Sequence, residues 1–589
     1  MRQFFKFMLA SMAGLILTSL IFFFISFIII ASAISFAGKE EVSIKPKTIL
    51  LLQFDEPIPE RSPVGPFSFS RSSFMETTST PGLLETTDLI EQAAKDENIS
   101  GILLDLSDIP SGMATLEEIR NALIQFKESK KFIIAYGETY SQKAYYLATA
   151  ADEICVNPEG SIDFKGLTGG VVFIKGLLDK LDVNAQIIRH GKYKSAIEPL
   201  IGTKMSEASK EQTLAYVGSI WQHIMEKVSE SRNIEAARLK VYADSLLIQT
   251  PDDAVKYKFA DKITYKDQLT DLIKEKLKLE KSDKVEFVKL ERYKDVPVQK
   301  AEKRSKNKIA VIYAVGEIMS GEGDDETIGS ERLSRAIRKA RLDSSVKAIV
   351  FRINSPGGSA LASEVILREL KLAQEIKPVV ASMGDYAASG GYYIACAADT
   401  IVCNPTTLTG SIGVFGVIPD FSRFFENKLG VTFDMVKTNP NSDFPSVTRA
   451  MTPYEEKVIT NSIERIYKTF INHVSAGRGI TAANVDSIGQ GRVWSGIDGK
   501  RLNLTDETGG LRKAIEIAAS MAKLEDYRIT SLPEQKDPFT QLMDDLSGKP
   551  SESLIQKELG TLYPYLKELR SISNMKGIQA RLPFVIDIY

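Results

Sequence analysis

Residues 378–393 read Pro378-Val379-Val380-Ala381-Ser382-Met383-Gly384-Asp385-Tyr386-Ala387-Ala388-Ser389-Gly390-Gly391-Tyr392-Tyr393. The apolar run 378–383 predicts a buried strand, and residues 392–398 predict the start of a helix. Ser389 therefore sits where a strand hands over to a helix, among glycines. Free N–H groups at a helix start favour negative charge, so a serine there has its hydroxyl beside donors able to hold an oxyanion. The same residues also fit a plain Gly/Ser turn with a helix cap. The stretch alone leaves both readings open.

Working outward, the chain repeats itself. Tyr145-Tyr146-Leu147-Ala148-Thr149-Ala150-Ala151-Asp152 answers Tyr392-Tyr393-Ile394-Ala395-Cys396-Ala397-Ala398-Asp399. Asn157-Pro158 answers Asn404-Pro405, and Gly160-Ser161-Ile162 answers Gly410-Ser411-Ile412. The strand patterns 47–51 and 99–103 return at 308–312 and 346–350. A near-constant, long offset means a duplicated domain rather than a short-period solenoid. In the first copy, predicted strands at 48–54, 101–106 and 132–136 alternate with helical spacing at 116–126 and 144–151. That alternation predicts βαβ units and a largely parallel sheet. The Pro-, Ser- and Thr-rich stretch 57–81 reads as a long, mobile surface loop, and the charged segment 281–308 as the connector between copies.

The copies differ where chemistry would be. Ser389 falls opposite Gln142 and Gly390 opposite Lys143. Asn354-Ser355-Pro356-Gly357-Gly358-Ser359 falls opposite Ser107-Asp108-Ile109-Pro110-Ser111-Gly112. A glycine pair lets backbone N–H groups approach a substrate, whereas proline removes a donor. The second copy thus retains a serine-and-oxyanion-hole pattern that the first lacks. A purely structural turn has less reason to differ at these positions. The first copy carries instead Arg189-His190-Gly191-Lys192-Tyr193-Lys194-Ser195-Ala196-Ile197-Glu198-Pro199. Its lysines read either as a solvated basic loop or as a base. A lysine in an apolar pocket has a lowered pKa and can take a proton from a serine hydroxyl. One copy would then supply the serine and the other the lysine.

Composition narrows the classes. The 589 residues carry a formal net charge of −2, which argues against a nucleic-acid binder. The three cysteines, Cys155, Cys396 and Cys403, show no metal-ligand spacing and read as packed thiols. With three scattered histidines, a His-based triad or a His-rich metal site is disfavoured. Arg2 and Lys6 precede an uncharged, apolar run over 7–38. It is longer than the core of a cleavable signal peptide and long enough to span a bilayer as a helix. An uncleaved anchor with a cytoplasmic N-terminus is the expectation. The expected division is 1–38 anchor, 39–300 first repeat, 301–530 second repeat and 531–589 C-terminal extension, with an amphipathic helix over 554–569.

The motifs Asn354-Ser355-Pro356-Gly357-Gly358-Ser359, Ala388-Ser389-Gly390-Gly391-Tyr392, Thr409-Gly410-Ser411-Ile412-Gly413 and Tyr193-Lys194-Ser195-Ala196-Ile197-Glu198-Pro199 together resemble the signal peptide peptidase A family (peptidase family S49), in its long, duplicated, membrane-anchored bacterial form. The resemblance covers essentially the whole chain after the anchor. It implies tandem α/β domains of the crotonase-like and Clp-protease-like ββα superhelix. By motif, it implies Ser389 as nucleophile, Lys194 as general base and Ser411 as the residue orienting the lysine. The base directly precedes Ser-Ala in the family motif, which selects Lys194 over Lys192. Backbone N–H groups of Gly358 and Gly390 would form the oxyanion hole. Neither metal nor organic cofactor is implied. The resemblance further implies a homo-oligomer, tetrameric in the long form, on the periplasmic side of the bacterial inner membrane, with remnant signal peptides and other apolar peptides as substrates. Whether amine and hydroxyl meet within one protomer or across two is left open. Two rivals remain: a crotonase-like acyl-CoA enzyme, which would need a carboxylate such as Asp385 beside the site, and a non-catalytic membrane scaffold.

Overall fold

The computed structural model of the chain describes residues 2–36, 44–63, 80–296, 305–535 and 577–582. Six strands of the first repeat form one wholly parallel sheet. They are β1 (Thr48–Leu52), β2 (Ile99–Asp105), β3 (Phe132–Tyr140), β4 (Glu153–Ile162), β6 (Lys262–Ile263) and β7 (Phe287–Lys289), ordered β6-β4-β3-β2-β1-β7. The second repeat rebuilds that order with β8 (Lys308–Val315), β11 (Val346–Ser355), β13 (Val379–Ala388), β14 (Thr400–Cys403), β18 (Glu507–Thr508) and β19 (Arg528–Leu532), running β18-β14-β13-β11-β8-β19. The expectation of duplicated α/β domains with parallel sheets holds. Both sheets are covered by helices, and so their central strands are apolar on both faces, as in Ile349, Val350 and Phe351, all fully buried.

A third sheet joins the repeats. It contains β9 (Glu317–Met319), β10 (Thr327–Gly329), β12 (Gly357–Ser359), β16 (Phe415–Asp420), β5 (Asn184–Arg189) and β20 (Ile578–Arg581), in the order β10-β9-β12-β20-β16-β5. Here β5 comes from the first repeat and β20 from the far C-terminus. Two short strands, β15 (Leu408–Gly410) and β17 (Val493–Ser495), extend the second sheet beyond the end of β13.

Three expectations are corrected. The early part of the segment read as a connector belongs to the first sheet, since β7 pairs in parallel with β1. The described start of the 57–81 stretch is no mobile surface loop: Ile58 and Glu60 are buried, and Glu60 pairs with Arg352 of β11 at 2.7 Å. A proline-rich local sequence gives no sign of a partner so far along the chain. Residues 64–79 and the helix expected at 554–569 lie outside the described residues. Finally, the strand before Ser389 runs on to Ala388 through Gly384, because β13 still has β15 to pair with there.

Buried charge ties the repeats together behind the site. Arg352 meets both Glu60 and Glu118, the latter at 3.0 Å, and Asn354 donates to Glu60 at 2.8 Å. Asp385 of β13 accepts from the N–H groups of Ala114 and Thr115, at the start of the first-repeat helix Met113–Phe126. Gly112, just after the Pro110-Ser111 that stands opposite the glycine pair, packs so closely on Asp385 that a Cβ there would fall 2.1 Å from its carboxyl carbon.

Candidate active site

Ser389 follows β13 directly and opens the helix Gly390–Ala395 with φ 54° and ψ −112°. Positive φ is uncommon for a residue with a Cβ and costs on the order of 1–3 kcal/mol. Two backbone bonds impose it: the Ser389 N–H donates to Gly410 O at 2.8 Å, and Tyr393 N–H donates to Ser389 O at 2.8 Å. The side chain makes no cap bond, so the helix-cap reading of this serine is excluded. Its hydroxyl instead points at an amine.

That amine belongs to Lys194. β5 and β16 form an antiparallel ladder from Phe415↔Arg189 to Asp420↔Asn184. β16 starts just after Ser411-Ile412-Gly413-Val414, and β5 ends just before His190-Gly191-Lys192-Tyr193-Lys194. The ladder thereby delivers the lysine loop to the serine loop. Lys194 Nζ lies 2.7 Å from Ser389 Oγ, 3.0 Å from Ser411 Oγ and 3.2 Å from Ser411 O. All three side chains are fully buried. Burial pushes the Lys194 amine well below the ordinary lysine value. A neutral amine has two N–H donors and one lone pair. In that form its two N–H groups would serve the two Ser411 oxygens and its lone pair the Ser389 hydroxyl. Lys192, two residues earlier, is exposed, with Nζ over the Tyr193 ring at 5.1 Å.

The glycine pair stands against the same point. Gly357 and Gly358 have φ of 101° and 155°. A Cβ on Gly357 would fall 2.8 Å from Gly390 N and 3.0 Å from Ala388 O. The structure thus brings Ser389, Lys194 and Ser411 together, with the backbone of Gly357 against that of Ala388 and Gly390. Asp385, the carboxylate that acyl-CoA chemistry would recruit, is held as the cap of a first-repeat helix; burial raises its pKa. The three cysteines are free and buried, and each histidine faces a glutamate.

Two contributors escaped the sequence reading. Gly491, at φ 80°, packs so closely that a Cβ would fall 2.6 Å from Lys194 Cβ, and its N–H donates to Ile412 O at 2.7 Å. Gln212, on the helix Glu207–Arg232, donates to Tyr193 O at 2.8 Å and Ser195 Oγ at 3.0 Å, while accepting from Val493 N–H at 3.1 Å. The Gly-Gln-Gly run at 489–491 was the available signal for the first. A lone glutamine on an amphipathic helix offers none for the second. In the first copy, the residue opposite Ser389, Gln142, accepts from the N–H groups of Lys165 and Gly166 and donates to Gly166 O. It is a loop clasp.

The sequence profile described as Peptidase family S49 matches residues 125–280 and again 371–525. The chain is 39% identical over 479 residues to Protease 4 of Salmonella typhi, covering 79% of this chain and 76% of that one. It is 34% identical to Protease 4 of Haemophilus influenzae over 574 residues, 92% of each chain. Among solved structures, a ClpP1 mutant from Listeria monocytogenes aligns with 35% of this chain and 94% of its own at 15% identity, with a TM-score of 0.24.

Proposed function

This chain belongs to peptidase family S49 and is a serine protease, and from that premise we propose that it cuts peptides with a Ser389–Lys194 dyad. The observation that carries this reading is the 2.7 Å approach of Lys194 Nζ to Ser389 Oγ inside a fully buried site. Neutral Lys194 takes the hydroxyl proton as Ser389 Oγ attacks the carbonyl carbon of the peptide bond. The oxyanion is met by backbone donors at Gly358 and Gly390, each worth roughly 3 kcal/mol. Lys194 then gives the proton to the departing amine, leaving an acyl-enzyme. Water, deprotonated by the same lysine, attacks the ester and restores Ser389. Ser411 fixes the amine through both of its oxygens. The first repeat, 39–300, supplies the lysine, and the second, 301–530, the serine.

The helix Arg2–Phe36 contains a span, Lys6–Ile25, with mean hydropathy 2.3, long and apolar enough to cross a membrane. With Arg2 and Lys6 before most of it, the N-terminus lies in the cytoplasm and the repeats outside the inner membrane. A site tethered there meets apolar fragments left by signal-peptide cleavage, and we assign these as substrates, handled by a homotetramer. The test is hydrolysis of a fluorogenic apolar peptide by wild type beside Ser389→Ala, with a fluorophosphonate probe labelling Ser389. Equal activity in the two, or label elsewhere, sinks the reading.

A further inference from the structure

The first repeat keeps a hollow where the second has its serine. The stretches of the second repeat around Ser389, at 354–359, 388–390 and 410–413, have first-repeat counterparts at 107–112, 141–143 and 160–163. Residues of all three counterparts line a cavity of about 540 Å³, together with Met113 and with Tyr386 and Leu408 of the second repeat. That volume falls in the range of roughly 300–1,000 Å³ typical of ligand sites. Its charged lining is balanced: Asp108 and Asp163 against Lys143 and Lys165. Lys165 is already paired with Asp163 at 2.9 Å, and Asp385 is engaged by the helix start at 114–115. The cavity therefore selects neither an anion nor a cation. With Ile109, Pro110, Tyr386 and Leu408 as walls, it suits an uncharged, apolar chain.

A narrow apolar slot adjoins this cavity and shares Met113, Gln142 and Lys143 with it. Tyr145, Tyr146, Phe164, Leu167 and Trp221 line it, with the Phe164 and Trp221 rings 5.0 Å apart. Tyr146 is 1% exposed, and its hydroxyl has no hydrogen-bond partner among the described residues. A buried hydroxyl left without an acceptor is unfavourable. An ordinary packing gap is apolar throughout; this one carries a phenol in want of an acceptor, which a peptide carbonyl supplies.

We propose that this groove is a second, non-cutting docking site for the substrate peptide, taking a large apolar side chain into the slot and a main-chain carbonyl onto Tyr146. The inference rests on the reading of peptides as the substrates cut at Ser389. Gln142 stands where the nucleophile would be and is clasped to 165–166, so a bound chain is held and not attacked. The groove also leads towards the serine. Tyr386 pairs with Leu408 on β13 and β15, three residues before Ser389, which is roughly 10 Å along a strand. A chain long enough to pass both places is held twice, and its apparent affinity rises accordingly.

The test uses the full-length chain carrying Ser389→Ala and two fluorescein-labelled apolar peptides of like composition. One has about 20 residues, roughly 65 Å when extended, and the other about four, roughly 13 Å. By anisotropy the long peptide should bind about tenfold more tightly than the short one. Adding Tyr146→Phe, which removes only the hydroxyl, should weaken the long peptide about fivefold, leave the short one unchanged and not lower Tm. Leu167→Trp, which fills the slot, should weaken the long peptide about tenfold. A benzophenone placed near one end of the long peptide should cross-link to the first repeat at the groove. With Ser389 intact, Tyr146→Phe should raise KM for the long peptide about fivefold and leave kcat unchanged. The binding and cross-linking arms need no catalysis, so they decide the docking site even if the dyad reading fails. Equal binding of the long peptide by all these proteins at unchanged Tm overturns the proposal. So do cross-links confined to the second repeat, and so does equal weakening of long and short peptides, which would make the slot a structural support of the active site.

Discussion

Lys194 Nζ and Ser389 Oγ lie 2.7 Å apart although 195 positions separate them in the chain. They belong to different repeats, and the β5–β16 ladder is what closes the distance. On the proposed mechanism the duplication is a division of labour: the second copy would supply the serine and the oxyanion-hole backbone, and the first the base.

Ser389→Ala and Lys194→Ala should each lower kcat by about 10⁴-fold or more, and the double variant should be little worse than either single one, since the two act as a unit. Steady-state hydrolysis of a fluorogenic peptide reads both numbers. An active Lys194→Ala enzyme would refute the base assignment.

The activity should carry the lysine's signature in its pH profile. Burial lowers the Lys194 pKa, and only the neutral amine can accept the serine proton. kcat/KM should therefore fall about tenfold per unit of pH below that lowered value and level off above it. A profile flat through the acid range would exclude the amine as base.

Stability should follow the same group. Between the lowered folded value and the unfolded value near ~10.4, the unfolded chain binds the extra proton, so stability rises with pH by about 1.4 kcal/mol per unit. Lys194→Met removes this slope and should be the more stable protein at neutral pH. Urea unfolding across a pH series is the measurement.

Replacing Ser411 by alanine leaves its carbonyl in place but deletes the hydroxyl at 3.0 Å from the amine. We expect kcat to drop about 10- to 100-fold with KM nearly constant, because positioning rather than binding is lost. Gly491→Ala should do more damage, since its Cβ would collide with Lys194 Cβ and Cα at a backbone angle unsuited to alanine.

Arg352→Met strands Glu60 and Glu118 in the interior. A loss of about 3–5 kcal/mol at neutral pH is expected. Burial already raises the Glu118 pKa. Without the guanidinium, the folded protein should bind protons more readily than the unfolded chain. Part of the lost stability should then return as the pH is lowered, which chemical denaturation at two pH values would reveal.

Much of the fold was legible because it is written locally and twice. Apolar runs such as 378–383 read as buried strands when helices flank them, and the repeated Tyr-Tyr pattern at 145 and 392 exposed the duplication. Ser389 and the glycine pair were legible for a similar reason, since their meaning depends on residues next to them in sequence. Glu60, Gln212, Gly491 and β20 were not. Each is defined by a partner far along the chain: Arg352 for Glu60, the lysine loop for Gln212 and Gly491, and the β12–β16 gap for β20. A four-residue strand such as Ile578–Arg581 is too short to declare itself by periodicity.

The sequence by itself determined the two α/β repeats, the apolar N-terminal helix and the residue types of the site, because strand, helix and turn preferences are short-range. Only the tertiary structure decided that the 194 amine meets the 389 hydroxyl within one chain, that Ser411 supplies both remaining contacts, and that Ile578–Arg581 runs as a strand between β12 and β16. These relationships depend on how sheets from different parts of the chain stack and on what they shut away from water. Burial of this kind moves the Lys194 amine well below the ordinary lysine value, and it comes from segments far from residue 194 in the chain.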